Sequence, residues 1–196
     1  MITNVLLTGV GGQGTITAST ILAQACRIAG WEIKKSEVHG MSQRGGSVNS
    51  YVRFSPDEEI ASPLIPEGQT HVLVAFEPVE ALRQIGEVAP DGVVLVEERR
   101  IVPVTVNMPG FSYPDDVLER VLATGRDVRI LSAWATAVEL GEPRAANSVM
   151  LGALSVLLEL PEDAWGEAMR LVLKPRAVDV NVRAFEIGRE LVRAQS

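Results

Sequence analysis

"TGVGGQGTI" (residues 8–16) follows the apolar run "ITNVLL" and decides how the rest of the chain is read. Residues 2–8 read as a buried strand and residues 9–14 as a turn. Residues 15–29 then carry Ile16, Ile21, Leu22, Ala25 and Ile28 at helical spacing. Gly30 ends that helix. Strand, glycine turn and helix in this order open a sheet of parallel strands covered by helices.

Outward from this start, residues 31–38 read as a second strand, followed by the polar loop "HGMSQRGGSV" (residues 39–48). Val48, Ser50, Val52 and Phe54 then alternate with Asn49, Tyr51 and Arg53, as an antiparallel or sheet-edge segment does. "EEIASPLIPEGQT" is a Pro/Gly-punctuated connection. "HVLVAF" and "VVLVEE" are continuous apolar runs flanking a short helix over residues 78–85, the pattern of parallel strands buried on both faces. Residues 101–107 read as a further extended piece, residues 115–124 as a helix and "VRILSA" as a strand. Residues 145–160, 162–173 and 178–192 carry three helical patterns. The expected fold is α/β in one domain, residues 1–196. It is a Rossmann-like, mostly parallel sheet with helices on both faces, an antiparallel edge element and a helical C-terminal portion.

Composition narrows the partners. Asp and Glu outnumber Lys and Arg by 25 to 18, a formal charge of -7, so neither nucleic acid nor an anionic membrane is expected as a partner. Any anion has to be held locally. A mean hydropathy of +0.17 fits a well-buried α/β domain or one with some apolar area under a partner. The first apolar run has no basic leader and is cut by glycines, so neither a signal peptide nor a membrane span is expected, and the expected location is cytoplasmic. One cysteine, Cys26, and two histidines, His39 and His71, cannot by themselves supply a four-cysteine iron–sulfur site or a Cys/His zinc site. No metal is expected on this chain.

Gly9, Gly11 and Gly14 satisfy G-x-G-x-x-G in the strand-to-helix context that gives this pattern weight. Three readings are open. In a dinucleotide site the glycines would face a pyrophosphate and Glu37 would take the ribose hydroxyls. In a purely structural turn they would only bring helix and sheet together. In a polar ligand loop, Gly11, Gly12 and Gly14 would offer backbone groups and Gln13 its amide. No Lys-Ser/Thr follows, so the loop is not a P-loop.

The second loop bears on that choice. If the first two strands are neighbours, residues 40–46 and 9–14 share one edge of the sheet and face each other. Arg44 could then clamp a carboxylate or phosphate with paired donors, while Ser42, Gln43 and Ser47, with Gly45 and Gly46 between them, orient it. His39 is a weak candidate for proton transfer, since a histidine at a strand end can equally cap or pack. Asn147 and Asn181 interrupt apolar helical patterns, where an unpaired amide would cost about 1–3 kcal/mol. Structural hydrogen bonds are expected of both. Met41, Phe185, Leu191, Trp134 and Trp165 are expected to pack.

"GVGGQG" followed by "EVHGMSQRGGSV" resembles the gamma-type component of the 2-oxoacid:ferredoxin oxidoreductases. "AANSVMLGAL" (residues 145–154) and "VNVRAFEIGREL" (residues 180–191) are similar to the Asn-containing helices of the same group. This resemblance implies a non-autonomous subunit of an enzyme that oxidatively decarboxylates a 2-oxoacid, here an aryl acid such as indolepyruvate. The acyl group passes to coenzyme A and the electrons to ferredoxin. It also implies a large alpha-type partner that holds thiamine diphosphate, magnesium and iron–sulfur clusters, none of them carried by this chain alone. The competing expectations are an NAD(P)-binding oxidoreductase and a structural or regulatory subunit.

Overall fold

The computed structural model describes residues 1–40, 46–101 and 112–194. Its sheet is built from β1 (Thr3–Val10), β2 (Glu32–His39), β3 (Ser47–Ser55), β4 (Thr70–Ala75), β5 (Val88–Glu97) and β6 (Asp127–Leu131). Their order across the sheet is β2-β3-β1-β4-β5-β6. β1, β4, β5 and β6 are parallel neighbours, and β3 runs antiparallel to both β1 and β2. The helices are α1 (Thr15–Ile28), α2 (Pro78–Gln84), α3 (Val117–Leu122), α4 (Ala133–Glu139), α5 (Ala146–Ser155), α6 (Glu162–Val172) and α7 (Val178–Arg193). The mixed α/β fold with its helical C-terminal part is the expected one.

Two details differ from the sequence reading. The first two strands are not neighbours, because β3 folds back between them with Val5 opposite Val52 on one side and Lys35 opposite Val52 on the other. The alternating segment is thus paired along both sides, and β2 forms the sheet edge. α4 (Ala133–Glu139) takes the last residue of the "VRILSA" strand reading together with residues 134–139, unassigned in the sequence. The extended piece expected over residues 101–107 lies, except for Ile101, outside the described residues.

Alternation along the strands sorts the core into two layers. Val5, Leu7, Val72, Val74 and Leu95 face α1 and α4–α7, while Leu6, Leu73, Ala75, Val94 and Val96 face α2 and α3. Each buried Val or Leu among them contributes roughly 1.5–3 kcal/mol relative to exposure. α5 and α7 approach most closely where Gly152 faces the Phe185 carbonyl and Gly188 faces the Val149 carbonyl; a Cβ at either glycine would overlap that backbone. This contact fixes α5 and α7 against each other, with Asn147 and Asn181 near their starts lining one cleft with the loop after β1.

Candidate functional site

β2 leaves the sheet at the same end as β1, since both oppose β3. The β2–β3 connection therefore reaches the glycine loop as a hairpin and not as a neighbouring parallel crossover. Gly40 N–H donates to Ser47 O at 2.9 Å, and Gly11 N–H donates to Gly46 O at 2.9 Å, so the two loops are in direct contact. Ser42, Gln43, Arg44 and Gly45, with Met41, lie outside the described residues. His39 is exposed at the end of β2, opposite Val48. Ser47 is opposite Val10, and its hydroxyl lies beside Glu80 of α2. Burial holds the Glu80 carboxyl above the usual range, with Ser47 and Arg83 opposing that shift.

In the glycine loop, Gly12 and Gly14 have φ of 96° and 83°, left-handed values that a side chain disfavours. Gln13, expected to offer its amide to a ligand, instead bridges two strand ends. Its Oε1 accepts from Val10 N–H at 2.6 Å and its Nε2 donates to Phe76 O at 2.6 Å. Asn147 at the start of α5 donates from Nδ2 to Gln13 O at 2.7 Å. Asn181 of α7 accepts from Ser148 Oγ at 2.6 Å and donates to Ala177 O at 2.7 Å. Gly11 N–H is taken by Gly46 O and Gln13 N–H by Val10 O, so what the loop offers a ligand is the backbone N–H of Gly12 and Gly14; Gly12 is exposed, and the first turn of α1 has neither a side-chain cap nor an acidic residue.

A cleft of about 800 Å³ opens beside this loop. Its wall continues through Glu97, Arg99, Trp134, Arg144, Asn147, Lys174, Arg176 and Asn181. Arg144 and Arg176 belong to two similar turns, Pro143–Ala145 and Pro175–Ala177, which lead into α5 and α7. The Arg99 guanidinium lies over the Trp134 ring, 3.3 Å from its centroid. Glu97 is buried at the end of β5, accepting from Arg99 N–H at 2.9 Å and from Trp134 N–H at 2.9 Å. Burial raises its carboxyl above the usual range despite these bonds. On a chain of net charge -7, four cations with one buried and one turn-capping carboxylate, Glu142, make a locally cationic pocket. Such a wall suits a phosphate or carboxylate ligand.

The sequence did not single out Arg99, Arg144, Lys174 or Arg176, and it assigned Trp134 only to packing. The repeated Pro-Arg-Ala triplets at two helix starts were the available signal. Trp165 and Phe185 do pack in the core, with ring centroids 5.5 Å apart.

Two alternatives fare differently. A dinucleotide site would need the acidic residue on the strand next to β1. Glu37 instead lies on β2, beyond β3, and pairs with Lys35 Nζ at 2.8 Å. The donors also do not fit a metal centre or cluster: Cys26 is buried in α1, where burial pushes its thiol up to about 12. Among the described residues no group of three or more His, Cys, Asp or Glu is placed to hold a metal ion. Among them, too, no helix is long and apolar enough to cross a membrane.

Sheet, glycine loop and cationic cleft define an α/β domain suited to holding an anion at the carboxyl ends of its parallel strands. The chain belongs to the pyruvate ferredoxin/flavodoxin oxidoreductase family, whose model matches residues 4–191. It is 41% identical over 190 residues to the indolepyruvate oxidoreductase subunit IorB of Thermococcus kodakarensis, covering 94% of this chain and 93% of that one. Its fold matches the gamma subunit of a keto/oxoacid ferredoxin oxidoreductase from Geobacter sulfurreducens with a TM-score of 0.73 at 24% identity, over 98% of this chain and 99% of that one. It also matches 31% of the 2-oxoglutarate:ferredoxin oxidoreductase of Magnetococcus marinus, solved with 2-oxoglutarate, coenzyme A and succinyl-CoA bound. There the TM-score is 0.76 at 24% identity, over 98% of this chain.

Proposed function

We propose that this chain, as a single domain, is the small subunit of a cytoplasmic indolepyruvate:ferredoxin oxidoreductase. With a large alpha-type subunit it supports oxidation of an aryl 2-oxoacid. The carboxylate leaves as carbon dioxide, the acyl carbon forms a thioester with coenzyme A, and two electrons pass to ferredoxin. The observation that carries this reading is the 41% identity to an indolepyruvate oxidoreductase subunit along 94% of the chain.

Thiamine diphosphate, magnesium and iron–sulfur clusters belong to the large subunit in this reading; here the one cysteine is buried, and among the described residues no group of three or more His, Cys, Asp or Glu is placed to hold a metal ion. The part left to this chain is to complete the wall of a shared active site. The cleft cations Arg144, Lys174 and Arg176 and the backbone N–H groups of Gly12 and Gly14, with Gly11 beside them, take the phosphates of coenzyme A. Arg44, flanked by Ser42, Gln43, Gly45, Gly46 and Ser47, pairs with a coenzyme A phosphate or the substrate carboxylate. Backbone N–H groups and guanidinium forks are both suited to such oxygens.

Co-purification with the large subunit and assay of coenzyme A-dependent ferredoxin reduction test the reading. Indolepyruvate should be preferred over pyruvate and 2-oxoglutarate. A complex that reduces ferredoxin with neither indolepyruvate nor another aryl 2-oxoacid would overturn the substrate assignment. Within an active complex, Arg44→Ala should raise a substrate KM; unchanged KM values and turnover would remove Arg44 from the site.

A further inference from the structure

We propose that Asn147 is a positioning residue that tunes the glycine loop for coenzyme A, an inference that rests on the reading of the cleft as the coenzyme A site. The loop carries one long polar side chain, Gln13, and its carboxamide is already engaged by Val10 N–H and Phe76 O. Ligand contacts from the loop therefore fall to peptide N–H groups. Their direction depends on how each peptide plane is turned. Gly12 and Gly14, on either side of Gln13, put little steric restraint on those planes.

Asn147, at the start of α5, supplies the restraint. Its Nδ2 holds Gln13 O at 2.7 Å, and a Cβ on Gly14 would overlap that nitrogen, so the amide lies directly against the loop. Fixing the Gln13 carbonyl fixes the plane of the following peptide, with the Gly14 N–H on its opposite side. The next residue, Ser148, is tied through Asn181 to Ala177 at the start of α7. One frame thus sets the glycine loop in register with the turns that carry Arg144 and Arg176. Charge and loop donors reach the same anion only while this register holds.

The test uses the assembled complex, with calorimetric binding of coenzyme A measured beside steady-state kinetics. Asn147→Ala should weaken coenzyme A binding and raise its KM roughly tenfold, the loss of about 1.4 kcal/mol. Turnover at saturating coenzyme A and the KM for the 2-oxoacid should stay within about twofold of the parent. Asn147→Asp has the same shape without the donor, and it should bind coenzyme A more weakly still because its carboxylate faces the Gln13 carbonyl. Unchanged coenzyme A affinity in both variants, or a fall in turnover without a change in affinity, would overturn the proposal. Arg144→Ala/Arg176→Ala separates the two levels of inference. If that pair lowers coenzyme A affinity while the Asn147 variants do not, the positioning role fails and the cleft reading stands. If the pair has no effect on affinity, the cleft reading fails and the positioning role fails with it.

Discussion

Asn147 Nδ2 and Gln13 O lie 2.7 Å apart across 134 residues of chain, so the first helix of the C-terminal group holds the turn that opens the sheet. The loop is therefore defined from three directions: by Asn147, by its own Gln13 and by the Gly11–Gly46 contact with the neighbouring hairpin. This arrangement gives each nearby substitution a distinct consequence.

Gly14→Ala should be poorly tolerated. At φ 83° a Cβ costs about 1–2 kcal/mol, and here it would also displace the Asn147 amide. Calorimetry of the assembled complex should show a lowered Tm, and the variant should lose coenzyme A affinity together with it. A Tm equal to that of the parent would contradict the described loop geometry.

Gln13→Ala should lower Tm by leaving Val10 N–H and Phe76 O without their side-chain partner, an effect on the order of 1–3 kcal/mol. Gln13→Glu should lose more, because a carboxylate would then face the Phe76 carbonyl with no donor. Thermal melts of the two variants side by side test that order.

Glu80→Gln should remove a contribution to stability that declines as pH rises. Burial raises the Glu80 carboxyl in the folded chain, so the native state holds its proton more tightly than the unfolded state does. That contribution is complete below the unfolded carboxylate pKa of about 4.3 and is lost as pH rises through the folded value. Between acid and neutral pH the variant's Tm should consequently fall less, or rise more, than the parent's. The opposite difference would show that Glu80 is held as a carboxylate.

Gly188→Ala should separate α5 from α7, because the new methyl would overlap the Val149 carbonyl. Overpacking of this kind costs about 1–3 kcal/mol, and contact with rigid backbone puts this site at the upper end. Since α5 carries Asn147, coenzyme A affinity should fall along with Tm. Separating those two effects, with affinity intact in a destabilised complex, would show that the loop does not depend on helix position.

Local chemistry makes part of this molecule legible in the chain. Continuous apolar runs such as "HVLVAF", the 3.6-residue spacing after Gly14 and the glycine turn between them specify strands, helices and a ligand-side loop, because each depends on near neighbours. The family resemblance was legible for the same reason, being carried by short ordered motifs. Pairing partners are different: nothing within residues 47–55 says that this strand separates β1 from β2, because that choice depends on covering two strand edges at once. Nor does local sequence show that Gln13 would be consumed by Phe76, or that Arg99, Arg144 and Arg176 would converge on one cleft. Those relationships arise when α5 and α7 meet at Gly152 and Gly188 and pack on the sheet. The sequence determined the elements and the family; the tertiary structure decided which donors remain free and which charges share a wall, since both depend on contacts between segments far apart in the chain.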